Sequence, residues 1–508
     1  MRKPNGPIDW HALAGTVQPH SDAFVDGRFV PAVSGDRMKT INPATDDVLV
    51  EVAACSSQDV DTAVSAARRA FEEGSWSGHP EARSVALQKL ADLILENREE
   101  FALLESLEMG KRVVDAYEVD VPGAAAVFRF YAGAVDKVNG EVVPTAPGNL
   151  ALVTREPIGV VAAVVPWNFP LDLAAWKVAP ALAAGNTVVL KPAEQSSLSA
   201  LRLAELAVQA GIPAGVLNVV PGYGEQAGRA LGMHNDVDVL AFTGSTEVGR
   251  LFLSYSAQSN GKPVWPECGG KSPNLVFADA SSLDEAADMA CFGIFFNQGE
   301  VCSANSRLLV ESSVADVLVE KILERTAQWM PGDPLDPASG MGALVSQGHL
   351  EQVATAVDDA VDRGAKVLCG GERSTVGGHG CFYPPTILTN VEPTDPIASA
   401  EVFGPVLIVT PFESEAEAVA MANDSPYGLA ASVWTGDLSR AHRVAGQLNV
   451  GTVSVNTVDA LSPQTPFGGV KQSGFGRDLS VSAMDKYTAL KTTWIKFAAT
   501  APVTEEQA

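Results

Sequence analysis

The sequence predicts an α/β fold with two doubly wound parallel-sheet domains and an additional β-strand arm. Apolar runs of strand length alternate with amphipathic helical segments after Ile158, and a second alternation of the same kind begins after Glu267. Such alternation is typical of βαβ units, whose strands pair in parallel. The length of 508 residues also exceeds what one hydrophobic core usually supports. We therefore expect two α/β domains with a cleft between them.

The individual elements follow from the spacing of apolar residues. Helical spacing recurs from Asp59 to Leu107, and a further long helix is expected around Pro122 to Val135. The first βα series is predicted as strands Val160–Val165, Thr187–Lys191, Val216–Val220 and Val237–Phe242, alternating with helices Leu171–Ala184, Leu198–Ala210, Gly224–Leu231 and Thr246–Ser254. The second series is predicted as strands Pro273–Phe277 and Ser306–Val310, helices Leu283–Phe296 and Ala315–Trp329, and a late strand near Thr452–Val455.

Two segments fall outside both series. Residues 138–157 and 479–508 are predicted as strands, and the string from Leu490 to Phe497 would suit pairing with another subunit. Residues 1 to about 20 are polar and interrupted by proline, so we expect a loose arm there. The tail from Thr504 is expected to fray.

Composition limits the classes of function. The chain has 61 acidic and 35 basic residues, a formal net charge of −26. This charge disfavours a nucleic-acid partner, because phosphates require a basic surface, and it favours attraction of small cations. The six cysteines form no CxxC pair and the seven histidines are dispersed, so no metal site is predicted. Without a recognisable signal peptide or a long apolar run, we expect a cytoplasmic protein with no membrane partner.

Three polar residues stand in short motifs that could perform acyl chemistry. Cys302 lies in Phe-Phe-Asn-Gln-Gly-Glu-Val-Cys-Ser, Glu267 in Trp-Pro-Glu-Cys-Gly-Gly-Lys, and Asn168 in Pro-Trp-Asn-Phe-Pro. A thiol can form a covalent intermediate, a carboxylate can activate water, and an amide N–H₂ can stabilise an oxyanion. Each also has an ordinary structural explanation: a core cysteine, a solvated strand-end carboxylate and a turn asparagine.

Two further motifs favour the catalytic interpretation. Lys-Pro-Ala-Glu at residues 191–194 and Phe-Thr-Gly-Ser-Thr-Glu-Val-Gly at residues 242–249 complete a set of five blocks. In this order and spacing the blocks closely resemble the aldehyde dehydrogenase superfamily, and the resemblance runs from about Phe24 to Trp494. It implies an NAD-binding domain of residues 1–137 and 158–267, a catalytic domain of residues 268–478, and an oligomerisation arm of residues 138–157 and 479–508. The assembly expected is a homodimer or homotetramer.

The resemblance also implies a mechanism. Cys302 would attack an aldehyde to give a thiohemiacetal whose oxyanion is held by Asn168 and the Cys302 backbone N–H. Hydride departure would leave a thioester, and Glu267 would activate the water that hydrolyses it. Because Cys302 follows a glycine-containing turn, we expect backbone N–H groups to lower the pKa of its thiol. The family string Leu-Glu-Leu-Gly-Gly-Lys is changed here by Pro266 and Cys268, and Pro266 restrains the chain that positions the glutamate.

The implied cofactor is NAD. The Gly244–Gly249 string follows a predicted strand and opens a helix, whose free N–H groups suit a pyrophosphate. The string from Gly222 to Gly228 has one residue too many for the G-x-G-x-x-G fingerprint. Lys191 and Glu194 would hold the adenosine ribose, and the Glu194 carboxylate would repel a 2′-phosphate, which favours NAD over NADP.

On the nicotinamide side, Glu401 would bond the ribose and Phe403 would pack beside the ring, although a surface acid and a core aromatic residue explain them equally well. The candidate cofactor-binding residues are Pro166, Trp167, Lys191, Glu194, Gly224, Phe242, Gly244, Ser245, Val248, Glu401 and Phe403.

The resemblance implies an aldehyde tunnel that mixes aromatic and acidic side chains. Its predicted lining is Asp120, Gly123, Phe169, Asp172, Leu173, Trp176, Phe296, Val301, Ser303, Asp459, Leu461 and Phe467. The strings at residues 119–125 and 267–274 look like the branch that oxidises γ-aminobutyraldehyde-type substrates, which includes γ-glutamyl-γ-aminobutyraldehyde and guanidinobutyraldehyde dehydrogenases. Residues 457–465 lack that branch's Gly-Gly-Asp stretch. Acids at the tunnel mouth would suit a cationic ω-amino group, and solvated rim acids are the alternative.

The function expected is therefore NAD-dependent oxidation of an aliphatic ω-amino aldehyde to a carboxylic acid. A general aliphatic or betaine aldehyde dehydrogenase is the nearest alternative. A CoA-acylating enzyme would not need Glu267, and an enzyme for phosphorylated sugar aldehydes would need a basic tunnel. A catalytically silent NAD-binding or structural relative would have little need for Cys302, Glu267 and Asn168 together.

Overall fold

The amino-terminal part of the chain is mainly helical. The computed structural model describes residues 8–498. As far as residue 157 it has α1 (Trp10–Ala14), β1 (Ala23–Val25), β2 (Arg28–Val30), β3 (Arg37–Ile41), β4 (Val48–Ala53), α2 (Ser57–Glu72), α3 (Pro80–Glu96), α4 (Arg98–Met109), α5 (Val113–Asp115), α6 (Val121–Ala134), β5 (Glu141–Val143) and β6 (Asn149–Pro157).

The expectation of a loose amino-terminal arm is wrong for the described residues. Helix α1 is capped by Asp9, whose carboxylate accepts a hydrogen bond from the Ala12 N–H at 3.0 Å. Trp10 is buried, and its ring lies 5.5 Å from that of Tyr117. An apolar side chain that can be buried, together with an N-cap, stabilises this short helix despite the polar surroundings. Residues 1–7 lie outside the described residues.

Residues 158–268 supply the five parallel strands of the first doubly wound sheet. Its elements are β7 (Val160–Val164), α7 (Pro170–Ala183), β8 (Thr187–Lys191), α8 (Leu198–Ala210), β9 (Leu217–Val219), a π-helical turn (Gly224–Gly228) that leads into α9 (Arg229–Met233), β10 (Val239–Gly244), α10 (Thr246–Gln258) and β11 (Val264–Cys268). The strand order is β11-β10-β7-β8-β9-β1-β2, with the first five strands parallel. Strands β7 and β8 are buried throughout, as expected for a parallel sheet covered on both faces.

The second sheet begins directly after the first. Its elements are β12 (Pro273–Val276), α11 (Leu283–Phe295), β13 (Arg307–Glu311), α12 (Ser312–Arg325), α13 (Gln347–Asp362), β14 (Lys366–Cys369), β15 (Ser374–Val376), β16 (His379–Phe382), β17 (Thr386–Thr389), α14 (Pro396–Ser399), β18 (Val406–Phe412), α15 (Glu415–Asn423), β19 (Ala430–Trp434), α16 (Leu438–Gln447) and β20 (Thr452–Val455). The order is β14-β17-β18-β13-β12-β19-β20, in which only β14 is antiparallel to its neighbour. The prediction of two doubly wound parallel sheets is confirmed.

A three-stranded antiparallel sheet stands apart from both. Strand β21 (Thr488–Lys496) pairs with β6 along its whole length, and β6 pairs with β5. The first part of the predicted strand 479–508 is instead a 3₁₀ helix (Val481–Tyr487), because the Ser480 hydroxyl accepts from the Ser482 N–H and starts a turn. Residues 499–508 lie outside the described residues. No helix within residues 8–498 is long and apolar enough to cross a membrane.

Candidate active site

The carboxyl ends of four adjacent parallel strands bring the predicted cofactor residues to one edge of the first sheet. Pro166 and Trp167 follow β7, Lys191 ends β8, Gly224 follows β9, and Gly244 ends β10. In open α/β sheets, ligands bind in the crevice at this edge. The parallel register therefore places residues from four separate motifs in one location.

Glu194, Lys191 and Gly224 form one group. The Gly224 N–H donates to Glu194 Oε1 at 2.5 Å, and Lys191 Nζ donates to the same oxygen at 3.3 Å. Lys191 is buried, and burial lowers the pKa of its ammonium group, although Glu194 opposes the shift. The Glu194 side chain keeps 31% of its surface exposed, so its carboxylate can still accept from a ligand hydroxyl.

The amino end of α10 suits a phosphate group. Ser245 caps the helix, and its hydroxyl accepts from the Val248 N–H at 3.3 Å. A Cβ on Gly244 would lie 2.6 Å from the Phe242 ring, so only glycine fits where the chain turns into the helix. Free N–H groups in the first helical turn attract anions. The residues present therefore fit the pyrophosphate of a dinucleotide.

Glu401, Phe403 and Trp167 meet beside the second sheet. Glu401 Oε1 accepts from the Gly270 N–H at 3.0 Å, and a Cβ on Gly269 would clash with the Glu401 carboxylate at 1.9 Å. Burial raises the pKa of Glu401 to about 7, although the Gly270 N–H and Lys271 act in the opposite direction. The rings of Trp167 and Phe403 are 5.3 Å apart and perpendicular. These side chains could border a flat ring.

Cys302 is half-buried in a turn after a 3₁₀ segment (Phe296–Gly299). Asn297 and Gln298 in that segment have positive φ angles of 48° and 57°. Burial raises the pKa of the Cys302 thiol, and the carboxylates of Asp459, Glu401 and Glu267 raise it further, while the Ser303 N–H lowers it. The expectation of a lowered thiol pKa is therefore wrong for this arrangement, because one N–H group does not outweigh burial among carboxylates.

Asn168 is tied to the segment that holds Cys302. Its Nδ2 donates to the Glu300 carbonyl at 2.9 Å, and its own carbonyl accepts from Asn297 Nδ2 at 3.1 Å. Asn168 is 2% exposed. Since an amide nitrogen has two hydrogens, one N–H remains for an oxyanion near Cys302.

Glu267 lies on β11, which is the edge strand of the first sheet. Pro266 is tolerated there because an edge strand needs fewer ladder donors, and its carbonyl still accepts from the Phe475 N–H at 3.2 Å. The Glu267 carboxylate is 3% exposed and neither oxygen has a hydrogen-bond partner. Burial raises the pKa of Glu267 to about 8, Asp478 raises it as well, and Lys177, Lys486 and Arg477 lower it.

A tunnel with a cavity volume of about 330 Å³ has Cys302 in its wall. All of the residues predicted to line a tunnel contribute to it: Asp120, Gly123, Phe169, Asp172, Leu173, Trp176, Phe296, Val301, Ser303, Asp459, Leu461 and Phe467. Two pairs of aromatic rings contribute to its apolar part, with Phe169 and Phe296 stacked at 6.3 Å and Trp176 lying edge-on to Phe467 at 5.3 Å.

The three acids in this tunnel have different partners. Asp120 forms a buried ion pair with Lys111, and Asp459 accepts from the Ser303 hydroxyl at 2.7 Å. Asp172 Oδ1 is buried without a partner, and a Cβ on Gly123 would approach it at 3.3 Å. Burial raises the pKa of Asp172 to about 7, and Asp120 contributes in the same direction.

Comparison with known proteins identifies the family. Residues 29–493 match the aldehyde dehydrogenase family. The chain belongs to the aldehyde dehydrogenase family. The NADP/NAD-dependent aldehyde dehydrogenase PuuC of Escherichia coli strain K12 is 48% identical over 491 residues, which cover 96% of this chain and 98% of PuuC. The prediction of this family from the sequence motifs is confirmed.

Two solved structures support the same assignment. The indole-3-acetaldehyde dehydrogenase AldA of P. syringae, a C302A mutant in complex with NAD⁺ and IAA, superposes with a TM-score of 0.95 at 48% identity, covering 96% of this chain and 99% of that one. The γ-glutamyl-γ-aminobutyraldehyde dehydrogenase of Burkholderia cenocepacia J2315 gives the same TM-score and coverage at 49% identity.

Sequence reasoning missed seven residues of the dehydrogenase tunnel. They are Val119, Ala126, Val127, Phe292, Ser462, Pro463 and Leu479. Helical periodicity could have found four of them, since Val119, Ala126 and Val127 share a face with predicted Gly123, and Phe292 lies one turn before Phe296. The other three lie outside helices, and no local pattern points to them. The sequence also gave no sign that Lys111 neutralises Asp120.

We expect Asp459→Asn to make the Cys302 thiol more reactive. The variant removes a negative charge that raises the thiol pKa, so the thiolate fraction should increase several-fold, since one pKa unit is about a tenfold change. The measurement is the rate of iodoacetamide alkylation at pH 8, followed on the Cys302 peptide by mass spectrometry. Glu118→Gln, which changes an exposed acid, is the control. An unchanged rate in Asp459→Asn would mean that Asp459 does not contribute to the thiol pKa.

Proposed function

We propose that this aldehyde dehydrogenase oxidises aliphatic aldehydes with a cationic ω-amino group, of the γ-aminobutyraldehyde type, to carboxylic acids with NAD. The observation behind this proposal is the buried Asp172 oxygen that has no partner in the wall of the Cys302 tunnel. A buried acceptor without a hydrogen bond is costly, and an ammonium tail would supply the missing donor. The similar aminoacetaldehyde dehydrogenase of Pseudomonas aeruginosa, 48% identical, is named for an aldehyde with a free amino group and supports this substrate class.

Cys302 and Asn168 act in the first half of the reaction, which ends with a thioester on the enzyme. As the Cys302 sulfur attacks, the thiol proton passes to solvent water, a C–S bond forms, and the electron pair of the aldehyde C=O bond moves onto its oxygen, which becomes an oxyanion. The free N–H of Asn168 and the Cys302 backbone N–H would stabilise that oxyanion. When bound, NAD supplies the acceptor for the hydride that leaves the former aldehyde carbon. The product on the enzyme is a thioester of Cys302.

Glu267 acts in the second half of the reaction, the hydrolysis of the thioester. Water must attack the thioester carbon, and a carboxylate takes the proton as the C–O bond forms and the C–S bond breaks. A pKa of about 8 keeps Glu267 close to the pH at which a general base is most effective. Pro266 does not remove it from the site, because its edge strand still pairs with β10.

The cofactor is NAD, and the residues that would hold it lie along the strand ends. Ser245 and Val248 would meet the pyrophosphate, Lys191 and Glu194 the adenosine ribose, and Glu401 the nicotinamide ribose. Pro166, Trp167, Gly224, Phe242, Gly244 and Phe403 would shape the surrounding wall. We assign this part, residues 1–137 and 158–267, as the NAD-binding domain, and residues 268–478 as the catalytic domain.

The arm of residues 138–157 and 479–508 would join subunits into a homodimer or homotetramer. On strand β21 and just beyond it, Leu490, Trp494 and Phe497 are all more than half exposed. Exposed large apolar side chains on an unpaired edge strand are typical of subunit contacts. All six cysteines are free, which agrees with a reducing, cytoplasmic location.

A general aldehyde dehydrogenase without preference for a charged tail is the second candidate. The aromatic part of the tunnel favours it, because Phe169, Trp176 and Phe467 would accept any apolar tail. The similar AldA, named for indole-3-acetaldehyde, is in keeping with this alternative.

The proposed chemistry predicts two distinct failures. Glu267→Gln should release one burst of NADH and then stall as acyl-enzyme, because the thioester forms but water is not activated. Cys302→Ser should bind NAD and give no burst, because a serine hydroxyl is far less ionised than a thiol. Cys369→Ser is the control. The measurement is stopped-flow absorbance of NADH, together with the intact mass of the enzyme.

The same experiment includes a pH dependence. The ionised form of Glu267 is present above its pKa of about 8 and is lost as the pH falls, so hydrolysis in the wild type should slow below that value. Glu267→Gln should lack this dependence. Wild-type turnover in Glu267→Gln would exclude Glu267 as the base, and turnover in Cys302→Ser would make Cys268 the next candidate nucleophile.

The substrate proposal predicts a loss of charge preference in Asp172→Asn. The wild type should have a higher kcat/KM for 4-aminobutanal than for butanal, by several-fold, since one partly buried carboxylate is worth on the order of 1 kcal/mol toward an ammonium group. The ratio should rise between pH 6 and 8, because Asp172 has a pKa of about 7 and ionises over this range. In Asp172→Asn the ratio should be close to one and independent of pH, mostly through KM.

Glu118→Gln, an exposed acid on the outer side of the same region, is the matched control and should keep the wild-type ratio. A wild-type enzyme with equal kcat/KM for the two aldehydes would support the general aldehyde dehydrogenase instead. A strong preference that survives in Asp172→Asn would move amine recognition to another tunnel acid.

Cofactor choice is predicted to depend on Glu194. Glu194→Ser removes the charge that would face a 2′-phosphate, so the ratio of kcat/KM with NADP to that with NAD should increase several-fold. Glu194→Asp keeps the charge and should keep the wild-type ratio. The measurement is steady-state kinetics with both cofactors at one fixed aldehyde concentration. A wild type that already prefers NADP would contradict the role assigned to Glu194.

A further inference from the structure

A buried charge triad lies behind the candidate base. Asp478 is 1% exposed and accepts from Lys177 Nζ through Oδ2 and from Lys486 Nζ through Oδ1, each at 2.5 Å. Lys177 comes from α7 and Lys486 from the 3₁₀ helix that precedes β21, and both are almost fully buried. One carboxylate is therefore held between two ammonium groups from different parts of the chain.

The backbone connects this triad to Glu267. The N–H and carbonyl of Asp478 exchange hydrogen bonds of 2.7 and 2.8 Å with Phe467. The next residue, Gly468, lies against Glu267, since a Cβ there would be 2.8 and 3.0 Å from the two carboxylate oxygens. Neither carboxylate oxygen of Glu267 has a hydrogen-bond partner, so its ionised form is stabilised mainly by charges that do not contact it.

The charges of the triad do not cancel. Burial acts to raise the pKa of Asp478, but Lys177 and Lys486 outweigh it and hold that pKa below its usual range. Burial lowers the pKa of Lys486 and Lys177 acts in the same direction, whereas Asp478 and Glu267 oppose the shift. With both lysines protonated, the ionised triad carries one net positive charge. In a buried site such a charge favours the ionised form of a neighbouring carboxylate.

The titratable groups around Glu267 come from every element packed against it. Helix α7 contributes Lys177, the segment just before the 3₁₀ helix contributes Arg477 and Asp478, and the 3₁₀ helix itself contributes Lys486 and Tyr487. Cys268 follows Glu267 on β11, and Cys302 lies in the tunnel wall. Arg477 points to backbone, donating to the Gly469 carbonyl at 2.9 Å. Asp478 is the only carboxylate among these neighbours of Glu267, and its two ammonium partners are Lys177 and Lys486.

We propose that Lys486 is a positioning residue for thioester hydrolysis: it holds Asp478 together with Lys177 and supplies the surplus positive charge that favours ionisation of Glu267. Lys486 is not among the residues that line the aldehyde tunnel. The inference rests on the proposed role of Glu267 as general base. Its effect is electrostatic and acts on the second half of the reaction.

The test follows decay of the acyl-enzyme directly. Enzyme with NAD is mixed with a limiting amount of butanal from pH 6 to 10, quenched at intervals and analysed by intact mass. Butanal has no ammonium tail, so ionisation of Asp172 should not contribute to the pH dependence of acyl-enzyme decay. In the wild type, the rate of decay should rise with pH as Glu267 ionises.

Lys486→Met should shift this rise to higher pH by about one unit, which is about a tenfold slower decay at pH 7. The amplitude of the first NADH burst should remain that of the wild type. Lys486→Arg keeps the charge and should keep the wild-type profile. Asp478→Asn removes a negative charge and should not shift the rise upward, because a lysine freed from its carboxylate can at most release its proton.

The outcomes separate three cases. An unchanged profile in Lys486→Met, or an upward shift in both Lys486→Met and Asp478→Asn, overturns the proposal, because loss of packing rather than of charge would then be responsible. If Lys486→Met does not fold, the other two variants still test the proposal. A wild-type pH profile in Lys486→Arg together with an unshifted or lowered profile in Asp478→Asn supports the proposal. An upward shift in either variant overturns it. Normal decay in Glu267→Gln would overturn the role of Glu267 itself, independently of Lys486.

Discussion

The whole site depends on the parallel pairing of five strands in the first sheet, β7, β8, β9, β10 and β11. Parallel strands end at the same edge of a sheet, so each strand delivers the residues that follow it to one crevice. Trp167, Lys191, Gly224 and Ser245 come from four different strands, and Glu267 from the edge strand beside them. A change in strand order would scatter these residues even if every motif were kept. The second sheet then closes the crevice with the loops of Cys302 and Glu401.

Burial is the second constraint, and it sets the protonation of the site. Removing a carboxyl or a thiol from water disfavours its charged form, which raises the pKa of Glu267, Glu401, Asp172 and Cys302. Asp478 is equally buried, yet its pKa is lowered, because two ammonium groups compensate for the lost water. The difference between these acids is one of partners rather than of depth.

The tunnel combines an apolar body with very few free polar groups. Of its three acids, Asp120 is paired with Lys111 and Asp459 accepts from Ser303, whereas one oxygen of Asp172 is buried without a hydrogen-bond partner. The aromatic rings would bind the tail of an aldehyde without selecting its length sharply. Selectivity for charge would therefore depend on Asp172, whereas reactivity depends on Cys302.

The sequence by itself determined the fold class, the family and the short motifs around Cys302, Glu267 and Asn168. These features are local, because strand and helix periodicity and the motif residues lie within a few positions of each other. Tertiary structure alone decided the pKa of the Cys302 thiol, the pairing of Asp120 with Lys111 and the triad around Asp478. Each of these results from side chains distant in sequence, and electrostatic free energy depends on distance in space and on exclusion of water. The helix at Trp10 was missed for the same reason, since a buried contact outweighed weak local propensity.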